Sequence, residues 1–140
     1  MLIYKELVER VHNYTNDTTG TLFPSTMVKG FINEAIDRLK QIKELETMEY
    51  LSNDGDVPNL LPNYYHYALA VYGASRCFSQ DEQHYQAQTY MDEFLNLMGI
   101  LELGIKEGNI IITDGNGNAI NNLSDFDYVR NIYFTKSGDK

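Results

Sequence analysis

The stretch that constrains this chain most is residues 62–78, apolar around nearly the whole circumference of a helix. It carries Tyr64, Tyr65, Tyr67, Ala68, Leu69, Ala70, Val71, Tyr72, Gly73, Ala74, Cys77 and Phe78. A helix apolar on every side is stable only when it is covered on every side. The pattern therefore predicts a central helix over 62–78, with Pro62 in the first turn, where a missing N–H costs nothing. Ala70, Gly73, Ala74 and Cys77 fall at i, i+3, i+4 and i+7, a strip small enough for another helix to approach closely. Ser79-Gln80-Asp81-Glu82 is a polar break of residue types suited to starting a helix. Beyond it Met91, Phe94, Met98, Leu101 and Ile105 recur at steps of 3, 4, 3 and 4. That second helix is expected to bury one stripe and wet the rest.

The chain before this pair holds two more helical patterns. Leu7, Val8, Val11 and Tyr14 give a short N-terminal helix within residues 2–15, ending near Asn16-Asp17. Thr21-Leu22-Phe23-Pro24 reads as extended, because a residue before proline avoids the α region. From Pro24-Ser25-Thr26 onward Val28, Ile32, Ala35, Leu39 and Ile42 run at helical spacing, with Phe31 and Ile36 widening the stripe. Residues 47–60 form a loop turning at Asn53-Asp54-Gly55-Asp56. Gly108 is placed to end the last helix. After it the character changes. Ile110-Ile111-Ile112-Thr113 and Asn118-Ala119-Ile120 flank Asp-Gly and Asn-Gly turn chemistry, which predicts a β-hairpin. The final segment holds Leu123, Phe126, Tyr128, Val129, Ile132, Tyr133 and Phe134, too apolar for a solvated tail, and the pattern does not decide between strand and helix. The expected class is mainly α: a small bundle of three long helices and a short N-terminal one, with a C-terminal β-hairpin and extended tail. Residues 1–108 form the bundle and 109–140 an assembly arm. Ile110, Ile111, Ile112, Phe126, Tyr128, Tyr133 and Phe134 are its candidate protein-interface residues, since unpaired strand edges and aromatic anchors suit contact with another chain.

Charge and composition narrow the function. Eleven basic against 20 acidic residues leave a net charge of −9, which argues against gripping nucleic acid through its phosphates. Eleven tyrosines, six phenylalanines and no tryptophan tilt toward surfaces that are dry in one context and wet in another. No stretch is long and apolar enough to cross a membrane, and Met1-Leu2-Ile3-Tyr4-Lys5-Glu6 lacks the layout of a signal peptide, so synthesis in the cytoplasm is expected. The single cysteine, Cys77, excludes an internal disulfide and reads as a small core residue. Glu9 with His12, and Asp81 with His84, each set a carboxylate and an imidazole one helical turn apart, as helix-bundle metal sites do. The remaining ligands of such a site cannot be assembled, so exposed polar faces are the simpler reading. Asp114-Gly115-Asn116-Gly117-Asn118 resembles half a calcium loop, but Ala119 and Asp125 stand where that loop needs Gly and Glu. His66 lies eleven residues before Cys77 on one helix, roughly 16 Å away, out of reach as a base. With no phosphate loop, Ser-centred elbow or dinucleotide fingerprint, neither a cofactor nor an enzyme activity is expected.

Several stretches carry a resemblance. They are Leu61-Pro62-Asn63-Tyr64-Tyr65-His66, Tyr72-Gly73-Ala74-Ser75-Arg76-Cys77-Phe78-Ser79-Gln80-Asp81-Glu82, Phe23-Pro24-Ser25-Thr26 leading into 31–39, and Tyr85-Gln86-Ala87 through Asp92-Glu93-Phe94. Together, over residues 20–106, they resemble the small head–tail connector (adaptor, or head-completion) proteins of tailed bacteriophages. The resemblance implies a helical bundle without enzymatic activity, assembled into a ring, commonly of twelve copies, beneath the portal protein. Such a ring sits in the virion, extends the DNA channel so that duplex passes without specific binding, and presents a surface to the next connector or tail-completion protein. The alternatives are a metal-carboxylate bundle enzyme using Glu9, His12, Asp81 and His84, or a helical adaptor of the cytoplasm unrelated to virions.

Overall fold

The central helix forms, but it starts later than its composition suggests. The computed structural model describes residues 1–114 and 117–120. In it Pro62 precedes a single 3₁₀ turn, Asn63–Tyr65, and the α-helix proper, α3, runs Tyr67–Gln80. Three other helices surround it: α1 (Tyr4–Tyr14), α2 (Ser25–Leu39) and α4 (His84–Lys106). The architecture is mainly α, four helices packed as a small bundle, with α3 touching each of the other three. Every residue of α3 from Ala68 to Ser75 is buried, as are Cys77 and Phe78. Covering on all sides is what an all-round apolar helix requires.

The delayed start of α3 has a polar cause. His66 is fully buried, and its Nε2–H donates to the Leu61 carbonyl at 2.8 Å. Its Nδ1 accepts the backbone N–H of Leu2 at 3.1 Å. The imidazole thus fastens the chain's beginning to the 3₁₀ turn. The close approach expected along the small strip is made by α1: a Cβ on Gly73 would sit 2.9 Å from Val11 Cγ2. Real side chains essentially never come so near, so α1 and α3 touch at a glycine.

Each surrounding helix buries most of the stripe its spacing predicts, though Tyr14 is only half-buried and α2 ends at Leu39, before Ile42, which is buried outside it. Leu7, Val8 and Val11 of α1 are buried, as are Val28, Phe31, Ile32, Ala35, Ile36 and Leu39 of α2. In α4 the buried residues are Phe94, Leu97, Leu101 and Ile105, while Met91 and Met98 reach only its margin. Ser75 Oγ donates to the Ala87 carbonyl at 2.8 Å, and Tyr72 meets Phe94 edge-on at 5.0 Å, joining α3 to α4. The break between these helices differs from expectation in one respect. No side chain of 79–82 caps α4; the chain turns through Glu82 at φ 58° and the helix begins after Gln83.

The 47–60 loop is tied down. Its turn carbonyls Asp56 O and Asp54 O accept the N–H groups of Tyr4 and Lys5 at 2.8 and 3.0 Å, satisfying donors that an α-helix leaves orphaned at its start. Asn33 of α2 grips Leu51 through both its amide groups, at 2.9 and 3.0 Å, and Lys29 pairs with Asp54 at 2.9 Å.

Beyond α4 two expectations are corrected. The predicted hairpin is a single antiparallel bridge, Thr113 to Ala119, and there is no strand among the described residues. Asp114 N–H to Asn118 O (2.8 Å) and Ile120 N–H to Ile112 O (2.7 Å) hold that bridge. The second correction concerns Ile112, which is 1% exposed and belongs to the bundle core. The reason lies in how α4 ends. Gly108 at φ 80° lets Gly108 N–H reach Ile105 O and Asn109 N–H reach Gly104 O, closing the last turn sharply. The chain reverses, and Ile110 lies directly on Gly104, where a Cβ would stand 2.4 Å from Ile110 Cδ1. Residues 110–112 are thereby folded back onto the bundle that the sequence pattern set them apart from.

Candidate interaction surface

Of the seven candidate interface residues, three are described. Ile110 is half-buried against the core, Ile112 is buried, and Ile111 remains exposed at 41%. Burial alternates along this run, with Ile111 facing outward between its two covered neighbours. Phe126, Tyr128, Tyr133 and Phe134 lie outside the described residues. Thr113, Asp114 and Ile120 line one wall of an open cleft of about 710 Å³. The opposite wall is the 47–60 loop, with Glu49, Tyr50, Leu51 and Asp56. Tyr50 and Ile120 are themselves half exposed, and the Tyr50 hydroxyl donates to the Asp37 carboxylate. That bond raises the phenol's pKa above its ordinary value, since the partner carboxylate disfavours a second negative charge.

Of the residues considered for metal or nucleophilic chemistry, His12, Asp81 and Cys77 are bonded or buried, while Glu9 and His84 are exposed. His12 is buried, and its Nε2–H donates to the Phe23 carbonyl at 2.7 Å, while its partner in the pattern, Glu9, is exposed. Asp81 accepts from the Gln83 side chain at 2.5 Å, and His84 is exposed at the first residue of α4. Among the described residues no three His, Cys, Asp or Glu side chains converge as a metal site would need. Cys77 is fully buried; burial, together with the charge of Asp17, pushes its thiol up to about 12. A thiol so placed is no nucleophile.

Asp17, whose role the sequence pattern does not disclose, organises the α1–α2 connection. Its carboxylate accepts backbone N–H groups from Thr21, Leu22 and Phe23 at 3.1, 3.1 and 2.7 Å. Burial by itself raises its pKa, but those donors and the nearby His12 outweigh it and hold the carboxyl below its usual value. Tyr4, Tyr65 and Tyr72 are buried, whereas Tyr50, Tyr64 and Tyr85 are exposed.

Sequence spacing also overlooks the outer side of α4. Leu95, Ile100 and Leu103 are 47%, 51% and 54% exposed. α4 packs chiefly on α3, so its far side has no cover from the described residues. A signal was present: Leu95, Gly99 and Leu103 repeat at i, i+4 and i+8, a second stripe opposite the buried one. Comparison of this chain with protein-family models, with curated proteins and with solved structures finds no match.

Proposed function

We propose that this protein is a structural component of a tailed-phage virion, a head–tail connector that assembles as a ring, of about twelve copies in the resembled family, below the portal. The observation that carries the reading is the open cleft beside the 47–60 loop, lined also by Thr113, Asp114 and Ile120, in a chain whose sequence beyond residue 120 is rich in apolar residues. A ring is built from head-to-tail contacts, in which one surface of a subunit meets a different surface of the next. A cleft and an apolar stretch of sequence supply the chemistry of such a pair. Net charge of −9 supports a channel that repels DNA phosphates and lets the duplex pass. Portal and the next connector or tail-completion protein are the partners.

Electron microscopy of the full chain mixed with portal rings tests this. Added density as a ring on the portal is expected, and it is expected to vanish for a chain ending at Ile120. A full chain that stays apart from portal at micromolar concentration overturns the reading.

A further inference from the structure

The exposed side of α4 is symmetric in its own sequence. Leu95 and Leu103 lie four residues either side of Gly99, and Asp92 and Lys106 lie seven residues either side. At 3.6 residues per turn these five positions fall within a stripe roughly 80° wide. Asp92, Gly99 and Lys106 are exposed with the two leucines. Among the described residues, and apart from the helix's own neighbouring backbone, nothing comes within 4 Å of the Cβ position at Gly99. Among the described residues Lys106 makes no ion pair, and Asp92 accepts one hydrogen bond, from Gln88 Nε2 at 2.7 Å.

We propose that two copies of this chain pair through this stripe as an antiparallel α4–α4 homodimer whose two-fold axis passes at Gly99. Rotation about that axis sets position 99+n of one copy opposite position 99−n of the other. Leu95 then meets the partner's Leu103, and Asp92 meets the partner's Lys106, each contact made twice. A parallel pairing in register sets Asp92 on Asp92 and Lys106 on Lys106, so charge selects the antiparallel arrangement. Glycine at the crossing point lets the two backbones approach until side chains a turn away interlock. In an isolated chain that glycine gains nothing, since alanine is the better residue in an exposed helix. Such an interface is self-complementary and closed. It uses α4, whereas the ring reading rests on the cleft and the C-terminal segment, so the two stand or fall separately.

The seam from Asp92 to Lys106 is only about 21 Å long, which places the contact at the small, weak end of specific interfaces. Sedimentation equilibrium of the full chain is expected to show a species of twice 16.1 kDa. Lys106→Asp is expected to weaken it about tenfold or more, and so is Asp92→Lys. The double swap, Asp92→Lys with Lys106→Asp, is expected to restore it. Within one helix the two positions are too far apart to meet, so rescue requires contact between copies. Gly99→Cys is expected to cross-link to itself under mild oxidation, whereas Glu93→Cys does not. A monomer at hundreds of micromolar overturns the proposal. So does an assembly indifferent to Lys106→Asp, a double swap without rescue, or equal cross-linking at both cysteine positions.

Discussion

Single residues fix the tightest points of this bundle. Leu69 is fully buried at the middle of α3, and Leu69→Ala is expected to cost about 2–5 kcal/mol, read as a lowered urea midpoint. Gly73→Leu is expected to be harmful for the opposite reason. Its side chain must displace Val11, and overpacking of this kind costs roughly 1–3 kcal/mol or more. Wild-type stability for Leu69→Ala would mean that α3 is not the buried centre, and for Gly73→Leu that α1 and α3 do not meet here. His66 adds a pH dependence. Burial disfavours its charged form most, and although its hydrogen bond to Leu61 favours a proton, the pKa lies below its ordinary value of 6.5. The folded state therefore binds the neutral ring, and the unfolded chain takes up a proton first as pH falls. Stability from this group is full above about pH 6.5 and declines as pH drops toward the lower folded pKa. Thermal scans from pH 7.5 to 5 are expected to show this decline, reduced in His66→Gln. An equal decline in both would assign it to other groups.

At the scale of elements, the end of α4 and the segment after it form one unit. Ile110 on Gly104 and Ile112 in the core mean that a chain cut after Gly108 loses a buried isoleucine. A drop of about 2–5 kcal/mol is expected from the loss of such a side chain. A chain cut after Ile120 keeps the Ile112–Ile120 bond and is expected to retain full helical circular dichroism and the wild-type thermal transition. The comparison of the two truncations checks whether the boundary of the bundle lies at 108 or beyond 112. Equal stability for both would return 110–112 to the assembly arm. The turn residues gave this segment its reversal, but the pattern of three isoleucines could not say which face would be covered. That depended on the glycine at 104, in the last turn of α4, being opposite Ile110.

For the whole molecule, acidity is the property that acts at a distance. With −9 net charge, binding of duplex DNA is expected to be weaker than micromolar at physiological salt, as fluorescence anisotropy would show. Submicromolar binding would contradict both the charge argument and the channel reading. The sequence by itself determined the four helices, their buried stripes and the central place of α3, because each follows from a local period and from the need to cover apolar surface. It also marked the turns at 53–56 and Gly108, where backbone conformation is set by neighbouring residues. Tertiary structure alone decided the rest. That His66 would be a buried clasp for Leu2, that Asp17 would gather the N–H groups of Thr21, Leu22 and Phe23, and that among the described residues α4 would be covered on one side are facts about partners. A side chain's period says which face it shares, but what stands against that face is chosen by the packing of elements far apart in the chain.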